Sequence, residues 1–206
     1  MKKLAFCLLA LTPAFAFAAP GPYATLQAGL NMVNASNSLQ DDPIGFVGGG
    51  AVGYLWGDNT INYGLEADGL VYPNSNSGRG IGTTHDYQSS YDGYNLSLLA
   101  VLKYTSCSTG FTAFVKGGGA YVSQQVTFNT AGPLPFDAPI GTQTNQTDFA
   151  FEAAAGVGYF FTQNLEADIT WDHVFADSQP RPNATGSNLN VVDNDNFLLG
   201  LTYHFA

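Results

Sequence analysis

The sequence predicts an all-β fold: an eight-stranded antiparallel up-and-down transmembrane β-barrel with four long extracellular loops and three short periplasmic turns. Three observations carry this. Apolar and polar residues alternate with period two along the chain, while almost no 3.6-residue pattern is found. The connections between the alternating segments are long and short in turn. The composition hides its apolarity: charged residues are 11% of the 206 and aromatics 14%, yet mean hydropathy is only +0.01. A soluble domain carries about 25% charged residues.

Composition also excludes other classes. Disordered chains are poor in aromatics and rich in charge. Six Lys+Arg against sixteen Asp+Glu would repel a phosphate backbone, so nucleic acid is not a partner. Glycine is abundant, 24 of 206 residues, which suits tightly curved strands better than helices.

Residues 1–18 read as a signal peptide and 19–206 as the barrel. Lys2 and Lys3 precede an apolar stretch from Leu4 to Phe17, and Ala16-Phe17-Ala18 supplies the small residues of a cleavage site. Cleavage after Ala18 removes Cys7 and leaves Cys107 as the single thiol, so no internal disulfide can form.

The strands follow in order. Ala24–Met32 sets Ala24, Leu26, Ala28, Leu30 and Met32 against Thr25, Gln27, Gly29 and Asn31. Ile44–Trp56 is a weaker, glycine-rich strand, as is Phe111–Ser123. Ile61–Val71, Tyr94–Tyr104, Phe149–Tyr159, Leu165–His173 and Phe197–Phe205 alternate cleanly. Each is about ten residues, enough for a tilted strand to cross a bilayer. Short turns are expected near Gly57–Thr60, Thr105–Gly110 and Thr162–Asn164, and long polar loops near Val33–Pro43, Pro73–Ser90, Gln125–Thr147 and Ala176–Asp193. All the long loops then fall at one rim, the arrangement of an outer-membrane barrel.

Aromatic residues on the apolar face collect at the strand ends. Tyr54, Trp56, Tyr104, Tyr159 and Tyr203 fall toward the short turns, and Tyr94, Tyr121 and Trp171 toward the long loops. Two girdles at the water–lipid boundaries are the expectation. Strands in lipid must pair every backbone group, so the sheet must close. Periodicity alone does not say which face points out. A soluble cup with its polar face outward has the same alternation; the signal peptide, the girdles and the loop pattern favour the membrane.

These features, with a last strand Asn196–Phe205 that ends Tyr203-His204-Phe205, resemble the small outer-membrane barrels of Gram-negative bacteria, the OmpA-type, opacity-protein and related porin-family domains. The resemblance implies an outer-membrane location and contact with lipid and lipopolysaccharide. It also implies a terminal aromatic signal, Tyr203 and Phe205, read by the barrel-assembly machinery; here Ala206 follows Phe205.

Several constellations could carry chemistry. Leu65-Glu66-Ala67-Asp68 recurs as Leu165-Glu166-Ala167-Asp168, with the acids on the face taken as interior. With Glu152, Asp148 and Asp172 the interior is acidic, against Lys103 and Lys116. An eight-stranded barrel is just wide enough for side chains to fill, so these groups should pair as a polar network; a narrow cation-preferring path is the alternative. Gly48–Gly53 contains a G-x-G-x-x-G match, but a nucleotide fingerprint needs a helix there, and no cofactor or metal is expected. Lipid A-modifying barrels suggest a third reading, yet His173-Val174-Phe175 lacks a serine two residues from the histidine. The expected role is therefore non-enzymatic, structural or adhesion-like, with a host or surface ligand met by the long loops.

Overall fold

A computed structural model describes residues 20–33, 44–58, 60–81, 86–106, 108–130, 143–176 and 193–205. The expected signal peptide, Cys107, Ala206 and most of the long loops lie outside the described residues. Eight strands are present: β1 Pro22–Val33, β2 Ile44–Gly57, β3 Ile61–Ile81, β4 Asp86–Thr105, β5 Phe111–Thr130, β6 Gln143–Phe160, β7 Leu165–Phe175 and β8 Asn194–His204. Each pairs antiparallel with its neighbour in sequence, and β1 pairs with β8 from Tyr23↔His204 to Val33↔Asn194, so the barrel is closed. Closure leaves no edge strand with unpaired amides.

The expected loop Pro73–Ser90 is corrected. β3 runs on to Ile81 and β4 starts at Asp86, so most of that segment is a paired hairpin rising above the barrel. β5 likewise reaches Thr130 and β6 starts at Gln143, which shortens the expected loop Gln125–Thr147. The reason is physical: backbone pairing needs no apolar alternation, so pairing continues where the period-two signal in the sequence stops. Pro73 falls where the register shifts, between Tyr72 and Asn76, consistent with a residue that has no N–H to donate.

The short connections are closed by their own side chains. Asp58 Oδ1 accepts hydrogen bonds from the N–H groups of Thr60 and Ile61, both at 2.8 Å. These bonds hold the Asp58 carboxyl below its ordinary value of 3.8, the bond from Ile61 contributing most. Thr162 Oγ1 does the same for Asn164 and Leu165, at 3.3 and 3.1 Å. Both are side-chain turns that replace backbone pairing where the chain reverses.

Curvature decides which face of each strand is outside. Leu26, Leu30, Val52, Leu65, Leu96, Leu98, Ile169 and Leu199 are exposed, Leu26 by 74%. Glu66, Glu152, Glu166, Asn31 and Asn196 are buried, the first at 1%. The barrel is thus apolar outside and polar inside, the reverse of a soluble protein. Small apolar clusters lie at both ends of the lumen. Val47, Leu70, Tyr72 and Leu198 form one, and Ala120, Val122 and Val174 another, both toward the long connections. Tyr23, Leu55 and Val101 form a third toward the short turns.

Candidate functional site

The lumen holds a polar network, much of it joining strands that are not neighbours. Glu66 on β3 accepts from Tyr23 Oη of β1 and from Lys116 Nζ of β5, both at 2.6 Å. Glu166 on β7 pairs with Lys103 of β4, accepts from Thr112 Oγ1 of β5 at 2.5 Å, and meets His204 Nε2 of β8 at 2.9 Å. Asp68 takes Gln27 Nε2 of β1, and Asp168 takes Thr170 Oγ1 at 2.9 Å. Glu152 on β6 accepts from Ser97 Oγ of β4 at 2.5 Å. Asn196 Nδ2 donates to Asp172 at 3.1 Å.

The repeated Leu-Glu-Ala-Asp motif places its two glutamates alike: each receives one lysine. Strand periodicity requires that both acids of each motif point the same way, and the curvature of the closed sheet turns that face inward. Lys103 Nζ lies 5.3 Å from the centroid of the Phe160 ring and Lys116 Nζ 5.1 Å from that of Phe114, so each ammonium adds a cation–π contact to its ion pair. A cavity of about 30 Å³ separates the two ion pairs, room for roughly two waters.

Small residues admit this network. A Cβ at Gly53 would lie 2.4 Å from the Tyr23 ring, and one at Gly200 2.5 Å from both Asp168 carboxylate oxygens. Glycine at these positions gives the lumen-facing groups their space. Gly48–Gly53 lies within β2 and opens no helix.

Sequence reasoning missed several members. Tyr23, Gln27, Ser97, Thr112 and His204 are all bonded into the network, and their strand parity is the signal that would have found them. Asp148 is corrected: it is exposed near the rim, where its carboxylate accepts from the Phe149 N–H at 2.8 Å, because the strand has by then risen beyond the closed lumen.

Outward aromatic residues fall near both strand ends. Toward the short turns Tyr54 meets Trp56 at 4.9 Å, Trp56 stacks on Tyr63 at 6.2 Å, Tyr159 meets Phe161 and Tyr203 meets Phe205. Tyr104 is exposed on the same rim. Toward the other end Tyr121 packs edge-on against Phe149 at 5.4 Å, Tyr94 is exposed, and Trp171 stacks on His173. Tyr63, Phe161, Phe151 and Phe175 belong beside these and were not singled out from the sequence; they too alternate with lumen-facing neighbours. Among the described residues no group of three or more His, Cys, Asp or Glu side chains is placed to hold a metal ion.

A closed cylinder with an apolar wall and a hydrogen-bonded polar interior is a membrane-spanning β-barrel, since no other strand arrangement satisfies its backbone in hydrocarbon. The chain belongs to the family described as "Outer membrane protein beta-barrel domain", whose profile matches residues 4–205, and it is an outer-membrane protein. It is 32% identical over 122 residues to an "Uncharacterized protein" of Coxiella burnetii (strain RSA 493 / Nine Mile phase I), a match that takes in 54% of this chain and 46% of that one. This chain therefore aligns with less than half of that relative's length. Among solved structures it is similar to Neisserial surface protein A (NspA), with a TM-score of 0.52 and 14% identity, covering 91% of this chain and 99% of that one. The N-terminal β-barrel domain of Pseudomonas aeruginosa OprF gives a TM-score of 0.49 and 17% identity, covering 90% and 99%.

Proposed function

We propose that this barrel is a sealed, non-enzymatic scaffold that presents its long connections at the cell surface for contact with a host or surface ligand. The observation that carries this is the lumen itself. Ion pairs and hydrogen bonds span it, an apolar cluster lies toward the long connections, and the described cavity beside the pairs is about 30 Å³. A rigid wall with variable loops is the arrangement that suits binding. A conducting path would need the Lys103–Glu166 and Lys116–Glu66 pairs to separate in a medium where that is costly.

In this reading residues 1–18 direct export, and Tyr203 and Phe205 are the signal for the barrel-assembly machinery. The aromatic ends contact lipid and lipopolysaccharide at the two boundaries, with the long connections outside. An enzymatic role finds no support at His173, where Phe175 stands two residues on in the place a nucleophile would take.

Two measurements test the proposal. The purified barrel in a planar bilayer should give no steady conductance; cation-selective steps would make it a channel. Bacteria displaying the barrel should bind epithelial monolayers better than bacteria displaying equal amounts of a variant with residues 34–43, 131–142 and 177–192 shortened. Equal binding would remove the surface role.

A further inference from the structure

Among the described outward side chains between the aromatic ends, all are apolar until the rim of the long connections, where His173 of β7 faces Asp195 of β8. Asp195 Oδ1 meets His173 Nδ1 at 2.8 Å and also accepts from Trp171 Nε1 at 2.9 Å. The imidazole stacks on Trp171, centroids 5.9 Å apart, and meets the Phe175 ring edge-on at 4.3 Å. Phe175 in turn packs on Phe151 of β6, and Ala153 of β6 stands opposite His173. The histidine side chain keeps 17% of its surface exposed and the aspartate 22%.

This arrangement is oriented. The carboxylate fixes the proton on Nδ1, so the ring is locked with Nε2 turned away from Asp195. No described residue bonds to Nε2. Asp195 is the charged group against the ring among the described residues of β6, β7 and β8; Asp193, before β8, is occupied by the Ala176 N–H at 2.5 Å. When protonated, the ring carries a second N–H pointing to the boundary between acyl chains and water. An N⁺–H donor there, walled by aromatic rings, suits an anionic oxygen.

We infer that His173, held by Asp195 and walled by Trp171 and Phe175, is a binding site for the phosphate group of a lipid headgroup in the outer leaflet. The inference rests on the orientation proposed above, with the long connections outside. Nε2–H donates to a phosphate oxygen, Asp195 offsets the charge of the imidazolium, and the aromatic wall meets the glycerol or sugar carbons.

The test uses the full barrel carrying W56F, which leaves Trp171 as the only tryptophan of the two and makes it the reporter. In nonionic micelles, fluorescence is followed while adding bisphosphorylated lipid A, the same lipid enzymatically dephosphorylated, or inorganic phosphate. Phosphorylated lipid A should give a saturable change. Affinity should fall about tenfold without the lipid phosphate or in H173F, which keeps the ring stack but removes the donor. Inorganic phosphate should bind far more weakly. Equal affinity for the dephosphorylated lipid, an unchanged H173F, or inorganic phosphate binding as tightly as the lipid would each overturn the inference. Failure of the orientation would show separately. An epitope tag placed between residues 177 and 192 should be visible to antibody on intact cells, and an invisible tag would place His173 in the other leaflet.

Discussion

Lys103→Met is the sharpest probe of the lumen. Lys103 is the cation on Glu166, a carboxylate only 1% exposed. Removing one partner of a buried pair costs about 3–5 kcal/mol. Glu166 keeps its bonds from Thr112 and His204, and hydrogen bonds to a charged group contribute about 1.5–3 kcal/mol each. The loss therefore falls at the lower end, about 3 kcal/mol. With a urea slope of about 1–3 kcal/mol per molar, the unfolding midpoint drops by about 1–3 M. The assay is urea titration of the barrel in lipid vesicles, read by gel migration of folded and unfolded forms. The double variant K103M/E166Q removes the stranded charge while keeping polar atoms for Thr112 and His204, and should recover to within about 1 kcal/mol of the parent. An unmoved K103M midpoint would refute the reasoning, as would a double variant that falls as far as K103M alone.

Other perturbations probe the wall and the turns. A Cβ at Gly49 would sit 1.9 Å from the Gly69 carbonyl oxygen, a backbone atom that cannot move aside, so G49A should cost about 3 kcal/mol or more or block assembly. Gly119 has nothing within 4 Å of such a Cβ, and G119A should stay within about 0.5 kcal/mol by the same titration. Leu98 faces outward at mid-wall, 62% exposed; L98R should cost about 2–4 kcal/mol in a bilayer, and a neutral result would place that face in water. Asp58, whose carboxyl is held below 3.8 by the Ile61 and Thr60 amides, stabilises its turn only while ionised. That contribution is complete above 3.8 and lost as pH falls through the lower folded value. The stability gap between parent and D58A should therefore be present at neutral pH and shrink in acid. A gap that is flat with pH would deny the carboxylate its role.

Legibility along the chain followed the environment of each segment. Within the lipid, one face must be apolar, so Leu65-Glu66-Ala67-Asp68 shows its parity directly. Along Pro73–Ser90 the backbones of β3 and β4 pair over most of the segment, yet its residues do not alternate and left no apolar signature. Asp148 shows the same limit, since parity assigned it inward but its height put it beyond the lumen. The acids of the repeated motif were visible as residues that needed partners. Their partners, such as Tyr23 for Glu66 and His204 for Glu166, were visible only as polar positions of the right parity.

By itself, the order of residues determined that the chain forms strands, how many there are, and which side chains share a face, because pleating forces neighbours to opposite sides. It left the two faces interchangeable, since alternation reads the same with either side turned outward. Closure of β1 on β8 broke that symmetry. Curvature gives the inner face too little room for the bulky apolar side chains and the outer face too much surface to cover with so few charges. It also brought Lys116 to Glu66 and Lys103 to Glu166, 50 and 63 residues apart, pairs that exist only because the sheet is a cylinder.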